Sequence, residues 1–282
     1  MTATGLMEFT AIGLEELNAT AALQTRRDRK YLVPQAQLQQ TLSELPAETR
    51  ILTMDGLTGF DYDSVYFDTA EWESYCRTAR RRRRRFKLRT RLYVDSGDAF
   101  LELKTKNGRG QTVKDRIAYS PEDLQRLTPA RSYVAAGLAP LGLTAETVET
   151  LRPCLRTTYR RSTLLTPEGA RATIDTALMF SDPLDPQAGQ VTLNDWVVVE
   201  TKSASAPSAL DRALWRRGHR PSGISKFGVG LAVLHPELPH NKWHRVLNGP
   251  FSRLRPARAD PSPELSPSSP RFSATTELKD RP

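Results

Sequence analysis

Eight short segments of this chain alternate charged or polar side chains with apolar ones, and this two-residue period restricts its fold more than any other feature. The segments cover residues 26–33, 62–67, 86–94, 99–106, 112–119, 154–165, 171–180 and 195–202. Turn-forming residues at 95–98 and 107–110 separate neighbouring segments by hairpin-sized loops. The pattern therefore predicts eight β-strands that pair mainly antiparallel.

Helical periodicity is confined to four stretches: 35–45, 121–127, a looser region over 130–151, and 208–217 continuing into 226–234. A parallel α/β fold needs a helix between most of its strands, and this chain has too few. The sequence thus predicts the α+β class, with a closed antiparallel eight-stranded β-barrel and helices packed on its outside.

Composition predicts three regions. Between residue 250 and the end of the chain there are seven Pro, six Ser and few large apolar side chains, so we expect a disordered tail over 248–282. One domain is expected over 21–247, after an N-terminal lead of residues 1–20.

No window is apolar enough for a membrane span, no export signal is evident, and two cysteines cannot build a disulfide framework. These features predict a soluble, cytoplasmic protein.

The positive charge of the chain is concentrated in one place. The formal net charge is +9, yet residues 77–91 alone carry ten Lys or Arg and no acid. Without that segment the rest of the chain would be close to neutral. A protein with this distribution is expected to hold a polyanion locally, unlike a histone-like protein that is basic throughout.

Strand parity places charged side chains together. Lys87, Arg89 and Arg91 alternate with Phe86 and Leu88, and the other strands repeat this arrangement with Lys or Arg near their centres. One interpretation is a sheet whose charged face lies in water. The other is that helices cover the apolar face while the charged faces converge on an interior, where a bound polyanion would offset the like charges. The prevalence of Lys and Arg favours the second interpretation.

Short strings within these strands follow the order of a known family. They are RKYLV at 29–33, VYFDT at 65–69, FKLRTRLY at 86–93, LELK at 101–104, YRR at 159–161, RATIDT at 171–176, VETK at 199–202 and SKF at 225–227. Together they resemble the catalytic domain of the vacuolar transporter chaperone (VTC) polyphosphate polymerases, a branch of the CYTH-like triphosphate tunnel metalloenzymes. The resemblance runs from about residue 26 to residue 234.

This resemblance implies an eight-stranded tunnel in which the γ-phosphate of ATP is transferred to a growing polyphosphate chain. The implied phosphate-binding residues, with Arg116 and Lys202 added from strand parity, are Lys30, Arg89, Arg91, Lys104, Lys114, Arg116, Arg161, Arg171, Lys202 and Lys226. Four of these are expected to act at the reacting phosphate: Arg89, Arg91, Lys104 and Lys226. Glu200, with Glu102 as a second candidate, would bind Mn²⁺ or Mg²⁺. Only Asp28 stands where the wider superfamily has two or three glutamates.

Two other functions stay open at this level. If water attacks instead of a phosphate chain, the same site is an inorganic or nucleoside triphosphatase. A non-catalytic polyphosphate- or nucleic-acid-binding module would rest on the run Arg80–Arg85, but no aromatic residues that could stack on bases interleave with it. We interpret the run as a solvated positive rim at a tunnel mouth. The expected partners are ATP and inorganic polyphosphate, and the resemblance also admits a membrane-bound partner protein.

Overall fold

The computed structural model describes residues 6, 8–20, 27–185, 187, 189–204 and 206–252. The predicted tail lies outside the described residues from position 253 onward. None of the described helices combines the length and the apolar character needed to cross a membrane.

All eight predicted strands are present, and three short strands accompany them. The strands are β1 Thr10–Ile12, β2 Arg27–Pro34, β3 Arg50–Leu52, β4 Phe60–Asp68, β5 Arg85–Tyr93, β6 Ala99–Lys106, β7 Thr112–Tyr119, β8 Arg152–Leu165, β9 Arg171–Ser181, β10 Gln190–Leu193 and β11 Trp196–Ser203. Sequence patterning missed β1, β3 and β10 because three or four residues are too few for a two-residue period to stand out.

The eight long strands form one antiparallel sheet in the order β2-β11-β9-β8-β4-β5-β6-β7. The predicted closed barrel is wrong, because no hydrogen-bonded ladder joins β2 to β7 within the described residues. The sheet is instead an open trough. Lysines lie on both sides of this opening. Burial and the charge of Lys30 lower the pKa of Lys104. Burial, followed by the charges of Arg89, Arg91 and Lys202, lowers the pKa of Lys114. Closing the ladder would bring these like charges closer together.

Helices cover the convex side of the sheet. Helix α2 (Gln35–Leu42) and helix α6 (Ala209–Arg216) pack on apolar side chains of β2, β9 and β11, while α4 (Arg131–Leu138) and α5 (Ala145–Glu149) pack on those of β4, β5 and β6. The apolar faces are thereby removed from water, which leaves the charged faces on the concave side. This arrangement confirms one part of the second interpretation of the strand pattern, that helices cover the apolar face of the sheet.

A buried carboxylate fixes α6 to two strands. Asp211 accepts hydrogen bonds from the hydroxyls of Tyr31 on β2 (2.6 Å) and Thr201 on β11 (2.6 Å). It also accepts from the backbone N–H of Ser208, the residue that caps α6, at 2.7 Å. These bonds satisfy the buried charge and align one wall of the trough.

Helix α7 (Lys226–Leu234) packs on the concave side, contrary to the expectation that all helices lie outside. Phe227, Val229 and Leu231 pack in one apolar cluster with Leu155 and further concave side chains of β8, β9 and β11. The left-handed residue Ala177 (φ 50°) accompanies a register shift between β8 and β9 that turns the following side chains inward. One end of the trough is therefore filled by hydrocarbon.

The other helical predictions are partly corrected. The chain does not continue as a helix from α6 to α7, because the left-handed Gly218 (φ 82°) follows the end of α6 and an irregular segment separates the two helices. The predicted helix over 121–127 is only a 3₁₀ turn at Pro121–Asp123. Three short helices were not predicted: α1 Leu14–Thr20, α3 Glu73–Ala79 and α8 His244–Leu247.

We predict that Gly230→Ala destabilises the protein. A β-carbon at this position would lie 2.8 Å from Phe180 Cδ1 and 2.9 Å from Leu155 Cδ2, so the packing of α7 in the trough requires the missing side chain. Overpacking of this kind costs about 1–3 kcal/mol of unfolding free energy, measurable by urea titration. Gly223→Ala is the matched control, because nothing lies within 4 Å of the place that its β-carbon would take. Equal effects of the two substitutions would contradict the close packing of α7.

Candidate active site

The charged side chains of the concave face form three clusters, two of them centred on a buried carboxylate and the third on the partly buried Glu200. Residues directly opposite each other in an antiparallel ladder project to the same side of the sheet. The register places Glu102 opposite Arg89, Asp175 opposite Arg161, and Glu200 opposite Lys30. Each carboxylate thus faces a cation on a neighbouring strand.

Glu102 is the centre of the first cluster. The Nε of Arg89 donates to Glu102 Oε2 at 2.7 Å, while Lys114 Nζ lies 3.6 Å and Arg91 Nη1 3.9 Å from Oε1. Burial alone would raise the pKa of Glu102, but the charges of the three cations outweigh it and lower the pKa to about 2. Among the described residues Oε1 is buried without a hydrogen-bond partner.

Asp175 is the centre of the second cluster. Arg161 binds it through two parallel hydrogen bonds of 2.6 and 2.8 Å, and Lys226 at the start of α7 contacts Oδ2. Tyr159 connects this cluster to the first, since its hydroxyl accepts from Arg91 Nη2 at 3.0 Å and its ring lies 4.3 Å below Lys226 Nζ. Burial opposes ionisation of Tyr159, yet the cations around it lower its pKa.

Glu200 is the centre of the third cluster. Lys30 contacts Glu200 Oε2, and Lys202 Nζ lies 3.5 Å from Oε1. Burial would raise the pKa of Glu200, but the charges of Lys30 and Lys202 lower it to about 2. The register puts Asp28 opposite Lys202 at the end of this cluster.

Cations outnumber carboxylates in and beside the three clusters. The cations are Lys30, Arg89, Arg91, Lys104, Lys114, Arg161, Lys202 and Lys226. The carboxylates are Asp28, Glu102, Asp175 and Glu200. The concave surface therefore keeps a positive excess after every internal pairing.

Two of the predicted phosphate-binding residues lie apart from the cluster centres. Arg116 faces Glu102 across the register, but its guanidinium stacks 4.5 Å from the ring centre of Phe100 and is exposed. Arg171 begins β9, where its Nη1 lies 3.5 Å from the side-chain oxygen of Asn18 on α1. Both belong to the trough wall more than to its centre.

Sequence reasoning missed part of the site. Asp175 and Tyr159 were recognisable by parity with Thr173 and Arg161, but nothing in the sequence showed that they hold the second cluster together. Arg85 was grouped with the solvated run and is instead the first residue of β5, opposite Lys106. The preceding arginines, 80–84, are exposed as expected.

A family model for the VTC domain matches residues 25–235 of the 282-residue chain. The chain belongs to the VTC domain family. This result confirms the resemblance inferred from the strand motifs. No curated protein matches the sequence of this VTC domain at a significant level.

Several solved structures resemble the VTC domain more distantly. HpAC1 of Hippeastrum, a candidate adenylyl cyclase described as having a dominant triphosphatase activity, is 19% identical, with 76% of this chain and 98% of that chain covered and a TM-score of 0.47. An adenylate cyclase candidate from Vibrio parahaemolyticus is 13% identical, with 68% and 84% covered and a TM-score of 0.36. An inorganic triphosphatase is 16% identical, with 66% and 79% covered and a TM-score of 0.28. The family assignment rests on the family match and not on these likenesses.

The carboxylates of the trough could hold a divalent metal only together with phosphate oxygens of a bound substrate. No group of three His, Cys, Asp or Glu side chains that could hold a metal occurs in the portion of the VTC domain that the structure describes. Mg²⁺ often uses one or two carboxylates together with waters and substrate phosphates. Glu200 fits this mode better than Glu102, because two cations adjoin Glu200 whereas three adjoin Glu102.

We predict that acid weakens this VTC domain through Glu102. Its folded-state pKa of about 2 lies below the ordinary value of 4.5, so its contribution is present above pH 4.5 and is lost as the pH falls towards 2. The difference in unfolding free energy between wild type and Glu102→Gln should shrink over that range by an amount on the order of 3 kcal/mol.

The comparison with the variant isolates Glu102 from other carboxylates. Asp68, for example, has a pKa raised to about 6 by burial, which gives a pH dependence of opposite sign. Glu122→Gln, at an exposed position, should follow the wild-type curve. A difference between wild type and Glu102→Gln that stays constant from pH 5 to pH 2 would refute the ion-pair account.

Proposed function

We propose that this VTC domain is a metal-dependent polyphosphate polymerase that transfers the γ-phosphate of ATP to a growing inorganic polyphosphate chain in the trough. One observation carries the proposal: the three clusters leave an excess of half-buried cations on a single concave surface. Family membership supports an enzyme that acts on polyphosphate or a triphosphate. The choice of polymerase rests on the residues that match the VTC motifs.

The charge distribution favours a linear polyanion. Removing so many like charges from water is unfavourable unless counter-charges are nearby, and the described carboxylates compensate only part of them. Arginine guanidinium groups such as those of Arg89 and Arg161 already bind carboxylates through two nitrogens, the geometry that also suits phosphate oxygens. Phosphate oxygens would compete with the carboxylates for these donors.

Phosphoryl transfer requires mainly positioning and charge stabilisation. In the proposed reaction a terminal oxygen of the polyphosphate chain forms a bond to the γ-phosphorus of ATP, the bond from that phosphorus to the bridging oxygen breaks, and ADP leaves. Arg89 and Arg91 would hold the phosphate oxygens, and Lys104 and Lys226 would offset the charge on the transferred group. A divalent metal held by Glu200 and phosphate oxygens would supply further charge neutralisation.

A triphosphatase of the same fold is the second candidate, and the open edge of the sheet favours it. No hydrogen-bonded ladder joins β2 to β7 within the described residues, so backbone pairing does not shield that side of the trough from water. Attack by water on the γ-phosphate would release free phosphate. A non-catalytic polyphosphate- or nucleic-acid-binding module would show neither product.

Incubation with ATP and Mn²⁺ distinguishes these functions. We expect long-chain polyphosphate, and free phosphate without polymer would refute the polymerase. Lys104→Ala should lower turnover by roughly a hundredfold without unfolding, because Lys104 forms no salt bridge among the described residues. Arg126→Ala, at an exposed position, is the control. Full activity of Lys104→Ala would contradict its role at the transferred phosphate.

We propose that Arg80–Arg84 form a positive rim that attracts polyphosphate. These side chains are exposed, and Arg84 lies beside Gly108 in the turn between β6 and β7. Replacing all five arginines by Gln should weaken polyphosphate binding and reduce its dependence on salt, while turnover at saturating substrate stays unchanged. Arg126→Gln and Arg212→Gln remove exposed charges elsewhere and should have little effect. An unchanged salt dependence would exclude the attracting role.

A further inference from the structure

A basic cavity adjoins the trough. It has a volume of about 200 Å³ and lies between β5, β6 and the start of α7. Its basic lining residues are Arg85, Lys87, Lys104, Lys106 and Lys242. None of the described residues that line it is acidic, and none of the five takes part in a salt bridge among the described residues. This distinguishes it from the three clusters, each of which contains a carboxylate.

Lys87 is half-buried in the lining of this cavity. Its Nζ donates to the hydroxyl of Ser225 at 2.9 Å and lies 5.5 Å from the ring centre of Phe227. Burial, followed by the charges of Lys104 and Lys242, lowers the pKa of Lys87 to about 7. A neutral hydroxyl and an aromatic ring compensate an ammonium group only weakly, so a bound anion would stabilise its charged form.

The cavity continues the row of trough cations along β5. Lys87 follows Arg91 and Arg89 on the same face, with about 7 Å between successive positions of the row. Lys104 lies opposite Lys87 in the register and borders both the trough and the cavity. A linear anion that leaves the trough along β5 would therefore enter the cavity.

We infer that this cavity is a subsite for later phosphate units of a polyphosphate chain, and that Lys87 and Lys242 thereby give the enzyme a preference for long chains over triphosphate. The inference rests on the proposed function. The cavity volume is below the range of about 300–1,000 Å³ that is typical of sites for drug-sized ligands. Polyphosphate suits this small space better than nucleic acid, because its phosphate units carry no bases.

Binding measurements with two probes test the subsite. Tripolyphosphate and long-chain polyphosphate are titrated calorimetrically into wild type, Lys87→Met and Lys242→Met. We expect wild type to bind the long chain more tightly, and either variant to lose about tenfold of that affinity while binding of tripolyphosphate changes less than twofold. Arg126→Met removes the same charge from an exposed position and should change neither affinity.

Thermal unfolding provides a second readout. Lys87→Met should melt at a higher temperature than wild type without ligand, because it removes a half-buried charge that forms no salt bridge in the described structure. Long-chain polyphosphate should raise the melting temperature of wild type more than that of the variant. A lysine that serves only structure would show the opposite change in the ligand-free protein.

The outcomes separate the inference from the proposed function. If wild type binds neither probe, both fail. If wild type binds both probes and the two variants keep its long-chain affinity, or lose both affinities equally, only the subsite is overturned. A single-stranded oligonucleotide that binds wild type as tightly as polyphosphate, and loses as much affinity in Lys87→Met, would overturn the assignment to polyphosphate.

Discussion

The rest of the structure depends on three buried or partly buried carboxylates that pair with cations on neighbouring strands. Without Glu102, Asp175 and Glu200, the cations on the concave face would repel one another across a surface that is partly removed from water. Each carboxylate sits on a different strand and bonds to the strand beside it. The pairs leave cations in excess, and the proposed binding of a polyanion rests on this excess.

Helix α7 decides how much of this surface stays available. It occupies one end of the trough with apolar side chains, and its close approach to β8 and β9 depends on a glycine where a side chain would meet Phe180. The same helix brings Lys226 to Asp175 and places Ser225, its capping residue, beside Lys87. Packing and chemistry are therefore linked, since a shift of α7 would alter two basic regions at once.

Local patterns predicted the long strands well and the edges of the structure poorly. The bounds of β6 and β7 agree with the prediction because their alternation is uninterrupted and turn residues delimit both strands. Residues 226–234 were correctly predicted as helical, but a mostly apolar helix does not show on which side of a sheet it packs. The sequence did not show that Asp175 binds two cations. Arg161 comes beside it only when β8 pairs with β9, and Lys226 comes from a distant part of the chain.

The sequence by itself determined the α+β class, the antiparallel strands, the charged face and the family, because each depends on side-chain order within short segments. Only the tertiary structure decided that the sheet stays open and that α7 lies inside it. It also decided which carboxylate binds which cation, and that Arg85 and Lys87 line a separate cavity. These features depend on strand register, on sheet curvature and on the balance of charges brought together from distant segments, none of which a local pattern contains.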